Sequence, residues 1–372
     1  MGLQTSRGQP DIPQVGARLL FKKAWSKAPR WIRRTISRGA SWHWMQDPPP
    51  TKIPVFRTQK HELDLLVARF LSEGAIEKVE VQPCVLSPIF AVPKSSGDLR
   101  LILNLTSLNL QIKKVPFKMH IHVTLRKILP KGAYMASLDI KDAYLHVPIA
   151  KSFQKYLAFS HGQDLFFFKA LPFGLCVAPY IFTRVLEFPL RQLREEGVRV
   201  LAYLDDLILW GPTRLDLLTD LEKVLTSLQK FGLIINREKS MLQPVQDIVW
   251  LGVRWESRFH TCGPSMEIID RIVDRAKSLM NQTLTSRRSL ESFMGLIAFA
   301  AQLLPQAKSK SHYIAKLMSK LEEPTRDKQF PVPATWRVYL PWWTMRKNLT
   351  SQAPLLPQPP SLRAWTDASD TG

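Results

Sequence analysis

Three aspartates, Asp139, Asp205 and Asp206, are the residues whose types and spacing could hold metal ions. Asp139 follows the apolar run 133–138, and the Asp pair is followed directly by four apolar residues, 207–210. Like charges in a half-buried position repel each other, so cations would stabilise such a set. Mg²⁺ prefers carboxylate oxygens, and two such ions about 3.5–4 Å apart catalyse nucleotidyl transfer. The residues therefore predict a site for two Mg²⁺ ions, which Mn²⁺ could replace.

Strands must position these aspartates. The run 133–138 predicts a strand that carries Asp139 at its end, and the runs 198–202 and 207–210 predict a hairpin with the Asp pair at its tip. The three carboxylates converge only if these strands are neighbours in one sheet. Asp also favours turns and helix caps, so a purely structural role is the alternative for each aspartate taken singly.

Other segments predict alternating helices and strands, which indicates an α+β fold. Apolar residues at helical spacing predict helices over 58–72 and 217–228. A further apolar stripe, at positions 290, 293, 294 and 297, predicts that the C-terminal third is mostly helical. Residues 354–360 are rich in proline and predict a linker.

A basic hairpin is predicted upstream of the first aspartate. The segments 87–93 and 99–103 are short β-prone runs joined by a turn at 95–98. Lys94 and Arg100 flank that turn. On pattern alone, the two cations are read as ordinary exposed charges of a hairpin.

The charge balance points to a polyanionic partner. The chain has 372 residues, with 52 Lys and Arg against 31 Asp and Glu, a formal net charge of +21. Such an excess suits the phosphate backbone of nucleic acid. Composition alone leaves a ribosome-like or membrane-surface protein as alternatives.

Residues 1–53 form a basic N-terminal arm. Its first 50 residues carry nine Lys or Arg against Asp11 and Asp47. Four tryptophans lie among these charges: Trp25, Trp31, Trp42 and Trp44. Interleaved cations and aromatic rings are typical of proteins that bind single strands. The alternative is a poorly ordered, solvated arm, because blocks of like charge usually stay in water.

Cysteine usage and hydropathy predict an intracellular protein, cytoplasmic or nuclear rather than secreted. The three cysteines, Cys84, Cys176 and Cys262, are far apart and predict neither disulfides nor a zinc site. No apolar run approaches the length of a transmembrane helix, and the basic start lacks the features of a signal peptide. The first six residues match the short myristoylation pattern at Gly2, a pattern that often arises by chance.

Several motifs occur in the order found in reverse transcriptases. Residues 203–206 (Tyr-Leu-Asp-Asp) resemble the Tyr-x-Asp-Asp box of that family, and residues 138–144 resemble its first catalytic aspartate motif. The segment 171–182 resembles the part beneath the template and incoming nucleotide, and 232–239 resembles the lysine-bearing loop. Trp250, Leu251 and Gly252 resemble the primer grip.

The resemblance implies an α+β right-hand polymerase fold, with fingers, palm and thumb and an antiparallel palm sheet backed by helices. Fingers and palm would occupy 54–255, and a thumb or connection-like helical region 256–350. The remaining segment, 351–372, would be a proline-rich linker and the start of a ribonuclease H domain.

The resemblance also implies residue roles. Asp139, Asp205 and Asp206 would be the catalytic metal ligands, with the backbone around Ile140 joining them. Nucleotide binding would fall to Lys94, Arg100, Tyr144, Phe173 and Lys239. Tyr144 would be the aromatic gate that excludes a 2′-hydroxyl by bulk. Phe173 stands where retroviral enzymes carry glutamine, which points toward retrotransposon relatives.

The end of the chain resembles the opening strand of ribonuclease H. Residues 365–369 (Trp-Thr-Asp-Ala-Ser) carry Asp367, the first of the acids that such a site needs. The other acids are absent from this sequence, so ribonuclease H activity is not expected from it. The wording of the motifs looks closest to Gypsy-like or DIRS-type retrotransposons, and DIRS-type is preferred.

The leading hypothesis is an RNA-directed DNA polymerase of a transposable element. Its partners would be an RNA template, a DNA primer or product, and deoxynucleoside triphosphates. The alternative is a catalytically silent or co-opted fragment that only binds nucleic acid, and a metal-dependent nuclease is a weaker third. Oligomeric state stays open.

Overall fold

The computed structural model describes the greater part of the chain, with the following residues: 16, 18–19, 23–46, 60–81, 83–93, 97, 99–117, 119, 122–319 and 328–355. The chain divides into two compact units. The first comprises Met1–Met119, Ala136–Leu209 and Leu218–Gln243, and the second His120–Met135, Trp210–Leu217 and Pro244–Gly372. Lys94, Gly2 and the whole of residues 47–59 and 356–372, which include Asp367, lie outside the described residues.

Thirteen α-helices are assigned in the described residues. They are α1 Arg30–Arg38, α2 Lys60–Ser72, α3 Thr106–Asn109, α4 His122–Ile128, α5 Lys151–Gln154, α6 Ala178–Glu195, α7 Arg214–Lys230, α8 Met266–Asn281, α9 Arg287–Leu303, α10 Pro305–Ser319, α11 Ala334–Tyr339, α12 Pro341–Thr344 and α13 Arg346–Leu349. Two short 3-10 helices are Lys23–Trp25 and Ala143–His146. The helices predicted over 58–72 and 217–228 correspond to α2 and α7, the latter extended by a few residues at each end.

Fifteen strands are assigned across the same residues. They are β1 Ile76–Val79, β2 Ile89–Pro93, β3 Leu99–Leu103, β4 Tyr134–Ile140, β5 Ala158–His161, β6 Asp164–Phe168, β7 Val200–Tyr203, β8 Asp206–Gly211, β9 Ile235–Val245, β10 Asp247–Trp250, β11 Val253–Glu256, β12 Thr261–Pro264, β13 Leu284–Ser286, β14 Gln329–Pro331 and β15 Ala353–Pro354. The predicted α+β composition is therefore observed.

The sheet that carries the aspartates has four strands in the order β7-β8-β4-β9. β7 and β8 are an antiparallel hairpin in which Tyr203 pairs with Asp206. Residues 207–210 of β8 are all buried, as are most residues of β4. Apolar residues on both faces of these strands keep most of their length in the interior, and Asp139 and Asp206 are among their partly exposed residues.

Two smaller sheets complete the first unit. β2 and β3 form the predicted hairpin, with Val92 opposite Arg100. β1, β6 and β5 form an antiparallel sheet whose aromatic residues, Phe159, Phe166 and Phe168, stack in the core. The second unit contains the sheet β10-β11-β12-β15 and the β13–β14 pair, besides helices α8–α13.

The N-terminal segment differs from the prediction of a solvated arm. Residues 23–46 contain a helix, α1, and two of the four tryptophans predicted to stack on bases lie in the core. Trp25 is fully buried, its indole N–H donates to the Phe231 carbonyl at 3.2 Å, and Trp42 is also buried. Burial of the large apolar ring of tryptophan stabilises the folded chain, so these two rings lie in the core. They are therefore unavailable for stacking on bases.

The C-terminal segment begins as structure rather than as a linker. Ala353 and Pro354 form β15, which pairs with Cys262 and Thr261 of β12, and Leu355 is only 2% exposed. The predicted proline-rich linker is thus wrong for residues 353–355. Proline is tolerated there because β15 is an edge strand. No helix in the described residues has the length and apolar character needed to cross a membrane.

Candidate functional site

The structure brings Asp139, Asp205 and Asp206 together in the first unit. Asp139 is the last residue but one of β4, and Asp206 is the first residue of the neighbouring strand β8. The Ile140 N–H donates to the Asp205 carbonyl at 2.9 Å, which ties the hairpin tip to the end of β4. The convergence predicted from the sequence is observed, because the two strands are neighbours.

The tip of the β7–β8 hairpin is a two-residue turn with an unusual backbone. Leu204 has φ 55, in the left-handed region that non-glycine residues rarely adopt, and Asp205 follows it. Hairpin turns of two residues favour glycine at such positions. A leucine held there is a strained residue of the kind that clusters at functional sites.

The strand β9 supports Asp139 from the other side. The Asp139 N–H donates to Ser240 Oγ at 3.0 Å, and the Ser240 hydroxyl donates to the Asn236 carbonyl at 2.6 Å. The Asn236 side chain hydrogen-bonds the Asp139 carboxylate, and Lys239 lies close enough to act on its charge. The resemblance predicted a loop around Lys239, whereas the structure places it on β9.

The electrostatics of the three carboxylates are those of a crowded acidic site. Burial, followed by the charge of Asp205, raises the pKa of Asp139. Burial also raises the pKa of Asp205, against the lowering effects of a backbone hydrogen bond and of the charges of Arg100 and Lys239. Burial and then the carboxylates of Asp205 and Asp139 raise the pKa of Asp206 to about 7. The anionic forms are mutually destabilised, and nearby positive charge would favour them.

The donor set fits hard divalent cations. Carboxylate oxygens are the ligands that Mg²⁺ prefers, and added cations would relieve the repulsion seen here. Within the described residues, no three His, Cys, Asp or Glu side chains are gathered closely enough to form a ready-made metal cage.

An aromatic and cationic platform lies beside the aspartates. The Arg100 guanidinium sits 4.6 Å from the centroid of Phe173, and Phe173 lies 5.2 Å from Tyr144. Tyr144 also packs edge-on against Phe182. Burial, then the charge of Asp205, raises the pKa of Tyr144 to about 12, so its phenol stays neutral. Arg100, Phe173 and Tyr144 thus share one site with the carboxylates.

The loop that carries Phe173 is clamped by Asn109. The side-chain Nδ2 of Asn109 donates to the Gly174 carbonyl at 2.8 Å, and the backbone N–H of Cys176 donates to Asn109 Oδ1 at 2.9 Å. The Phe173 carbonyl also accepts from the Leu103 N–H of β3. These bonds hold the platform against the basic hairpin.

Two further residues hold the motif that follows Asp139. Arg69 of α2 donates to the Asp142 carboxylate at 2.5 Å, and Asp142 has φ 43. Buried His146 bonds the Ala143 carbonyl through Nδ1 at 3.2 Å and accepts the Ile234 N–H at Nε2 at 3.1 Å. This pair of partners requires the neutral tautomer with the proton on Nδ1, and burial lowers the pKa of His146 to about 4.

Sequence reasoning missed four of these supporting residues: Asn109, Ser240, Arg69 and His146. The only signal for His146 in the sequence was its position between two apolar residues, Leu145 and Val147. The other three are ordinary polar residues whose partners are distant in the chain, so no local pattern marks them.

Two predicted site residues, Lys94 and Asp367, lie outside the described residues. Trp250, Leu251 and Gly252 belong to the second unit, where they form the β10–β11 turn. Trp250 is 3% exposed, so its ring is not available to a ligand.

Known proteins resemble this chain in sequence. The reverse transcriptase (RNA-dependent DNA polymerase) family matches residues 92–255. Protein P of duck hepatitis B virus is 34% identical over 139 residues, 37% of this chain and 17% of its own length. The Tf2-3 transposon polyprotein of Schizosaccharomyces pombe is 24% identical over 251 residues, 67% of this chain and 18% of its own length. The matches therefore span less than a fifth of these relatives.

Solved structures share the fold. The foamy viral protease-reverse transcriptase in complex with double-stranded DNA superposes with a TM-score of 0.67 at 21% identity, covering 83% of this chain and 51% of that one. Its complex with an RNA/DNA hybrid gives 0.67 at 20% identity, with 84% and 39% covered. The expected right-hand polymerase fold is confirmed by this likeness. Residues 92–255, which contain all three clustered aspartates, are a reverse transcriptase domain.

Proposed function

We propose that this chain is an RNA-directed DNA polymerase of a transposable element. The observation that carries the proposal is the cluster of Asp139, Asp205 and Asp206 beside the Arg100–Phe173–Tyr144 platform. Acidic residues there suit divalent cations, and the platform suits the sugar and phosphates of a nucleotide. The similarity to the Tf2-3 transposon polyprotein supports the origin of this chain in a mobile element.

Two Mg²⁺ ions, or Mn²⁺ in their place, would be held by Asp139, Asp205 and Asp206, with the Ile140 backbone as a further oxygen ligand. When bound, they supply activation of the primer hydroxyl and stabilisation of the leaving pyrophosphate. The chain positions these ligands through the Ile140–Asp205 bond and the Ser240 and Asn236 contacts described above.

Deoxynucleoside triphosphates would bind next to the aspartates. Arg100 Nε is buried and has no hydrogen-bond partner among the described residues, so a phosphate oxygen could satisfy it. Lys94, which directly follows β2 in the sequence, would join Arg100 in binding the phosphates. Lys239 acts electrostatically on all three carboxylates, which supports a role for its charge in binding the phosphates.

The template and primer would complete the reaction. An RNA template and a DNA primer are proposed as the nucleic-acid partners, with the β10–β11 turn at Leu251 and Gly252 as the primer grip. The foamy viral enzyme is known in complexes with an RNA/DNA hybrid and with double-stranded DNA, which supports duplex substrates of both kinds.

Primer extension by the double variant Asp205→Asn, Asp206→Asn tests the proposal. The parent chain should extend oligo(dT) on poly(rA) with Mg²⁺, and the variant should lose more than about 100-fold in rate, because charge stabilisation at a reacting centre carries effects of that size. The matched control is Asp164→Asn, Asp247→Asn, which removes two aspartates from surface ion pairs. Equal activity of parent and site variant would overturn the assignment; inactivity of both, with RNA binding retained, would favour the binding-only alternative.

A further inference from the structure

A strongly basic surface lies on the first unit, around α1. We define the α1 basic surface by seven exposed cations: Lys23, Lys27, Arg30, Arg33, Arg34, Arg38 and Arg184. No Asp or Glu occurs between residues 23 and 46. Across the part of the chain that is described, none of these seven side chains forms an ion pair. Among the described residues, no ion pair therefore neutralises the positive charge of this surface.

The surface is built on an anchored helix. Trp25, just before α1, packs against Phe188 and Phe231. Just after α1, Ala40 forms a bridge with Ile149, and its N–H donates to the Pro148 carbonyl at 2.7 Å. Both ends of the helix are thus tied to the core, and the cations are presented on a fixed support.

An exposed aromatic ring lies within the surface. Trp31 is 36% exposed, and the Arg184 guanidinium of α6 lies 5.6 Å from its centroid. An indole beside cations can stack a base while the cations contact the phosphates on either side. The ring therefore adds a nucleobase contact to a surface that charge alone would make suitable for any polyanion.

The α1 basic surface faces away from the aspartate site. Phe182 and Arg184 are two residues apart on α6, so their side chains lie on nearly opposite faces of the helix, about 160° apart. Phe182 packs on Tyr144 in the site, whereas Arg184 packs on Trp31. A ligand on α1 therefore lies on the other side of α6 from the incoming nucleotide.

Membrane lipid is the other polyanion to consider, and the structure disfavours it. A membrane-surface helix inserts its apolar face among the acyl chains. In α1 the apolar residues Ile32 and Ile36 are buried in the protein core, 2% and 3% exposed. Only Trp31 remains outside, so the helix has no free apolar face to insert.

We propose that the α1 basic surface is a second binding surface for single-stranded RNA, outside the polymerase site, that contacts the phosphate backbone of the template. The proposal rests on the proposed function for the identity of that RNA as template. Phosphate contacts carry no sequence preference, so binding there would be general rather than sequence-specific.

The test is the salt dependence of RNA binding by the variant Arg30→Gln, Arg34→Gln, Arg38→Gln. These three residues form one stripe of α1, at intervals of four. The matched control is Arg191→Gln, Lys223→Gln, Arg254→Gln, which also removes three charges, each from an ion pair with a neighbouring carboxylate. The probe is a long fluorescent single-stranded RNA, titrated at several KCl concentrations.

Each lost phosphate contact on a single strand lowers the slope of log affinity against log salt by about 0.7, so the α1 variant should lose about 2 from that slope and about tenfold or more in affinity at low salt. The control should keep the slope of the parent chain. Arg30→Lys, Arg34→Lys, Arg38→Lys should keep it too, because charge is retained. At saturating primer–template the α1 variant should keep the kcat of the parent chain.

An unchanged slope in the α1 variant would overturn the proposal. So would unchanged RNA binding together with lost binding to phosphatidylserine vesicles, which would assign the surface to lipid. RNA binding needs no polymerisation, so the two proposals fail separately. If the parent chain never extends a primer but the α1 variant still loses RNA binding, the RNA surface is upheld. Only the polymerase assignment is then overturned.

Discussion

Tyr144 is the residue that we propose as the gate for the incoming sugar. Its ring packs against both Phe173 and Phe182, and its hydroxyl lies in the field of Asp205. These two aromatic contacts favour a fixed position of the ring. Bulk, rather than the hydroxyl group, is therefore the property that we expect to exclude a 2′-hydroxyl.

Two substitutions of Tyr144 separate bulk from hydrogen bonding. Tyr144→Ala opens the space, so kcat/KM for a ribonucleotide relative to its deoxynucleotide should rise by more than about tenfold, a change typical of altered fit in a pocket. Tyr144→Phe keeps the ring and should keep the discrimination of the parent. Single-nucleotide incorporation measures both ratios. A large loss of discrimination in Tyr144→Phe would show that the hydroxyl is the selective group.

At the scale of elements, the segment 171–176 links the platform to the basic hairpin. Gly174 has φ +105, and a Cβ there would lie 2.3 Å from the Leu103 carbonyl of β3. The close approach lets the Leu103 N–H and the Asn109 side chain hold the segment. Glycine is required at this position both by its backbone conformation and by the neighbouring strand.

Gly174→Ala should destabilise the protein by about 2 kcal/mol or more and raise KM for deoxynucleotides, because the strand and the platform must move apart. The control is Gly162→Ala in the β5–β6 turn, which also has positive φ but nothing within 4 Å of the added Cβ. Its destabilisation should be about 1 kcal/mol, from the backbone conformation alone. Denaturant unfolding and steady-state kinetics measure the two effects. Similar results for both variants would mean that the contact with Leu103 is unimportant.

At the scale of the whole chain, residues far apart in sequence close the second unit. β15 pairs with β12, and Arg126 of α4 donates to the Pro354 and Leu355 carbonyls at 2.8 and 2.9 Å. Leu355 is buried, and its N–H donates to the His260 carbonyl. The short segment 353–355 thus joins a sheet edge to a helix from early in the chain.

A chain shortened to end at Gln352 should lose about 2–4 kcal/mol of stability in the second unit, from the buried leucine and the bonds to Arg126. A chain that ends at Leu355 keeps those contacts and serves as the control. Buried Cys262, opposite Ala353, should also react faster with a thiol reagent in the shorter chain, as site-resolved mass spectrometry can measure. Equal labelling and equal unfolding of the two chains would contradict a role for β15.

Much of the site could be predicted from residues that are close in the chain. Alternating and continuous apolar runs located β3, β8 and the core of β4, and the polar residues that interrupt those runs marked the three aspartates. Local patterns gave the wrong prediction where contacts with distant segments determine the environment of a residue. Trp25 was predicted to stack on bases, but it packs against Phe188 and Phe231. Pro354 was predicted to lie in a linker, but it pairs with β12.

The sequence by itself determined which residues carry charge and which segments become strands and helices, because apolar periodicity and turn residues act over a few positions. Only the tertiary structure decided which partners those residues meet. Pairing of β4 with β8 set the carboxylates side by side, the clamp of Asn109 set Phe173 under Arg100, and the burial of Ile32 and Ile36 turned the cations of α1 outward. Each of these outcomes depends on contacts between segments distant in the chain, which no local pattern encodes.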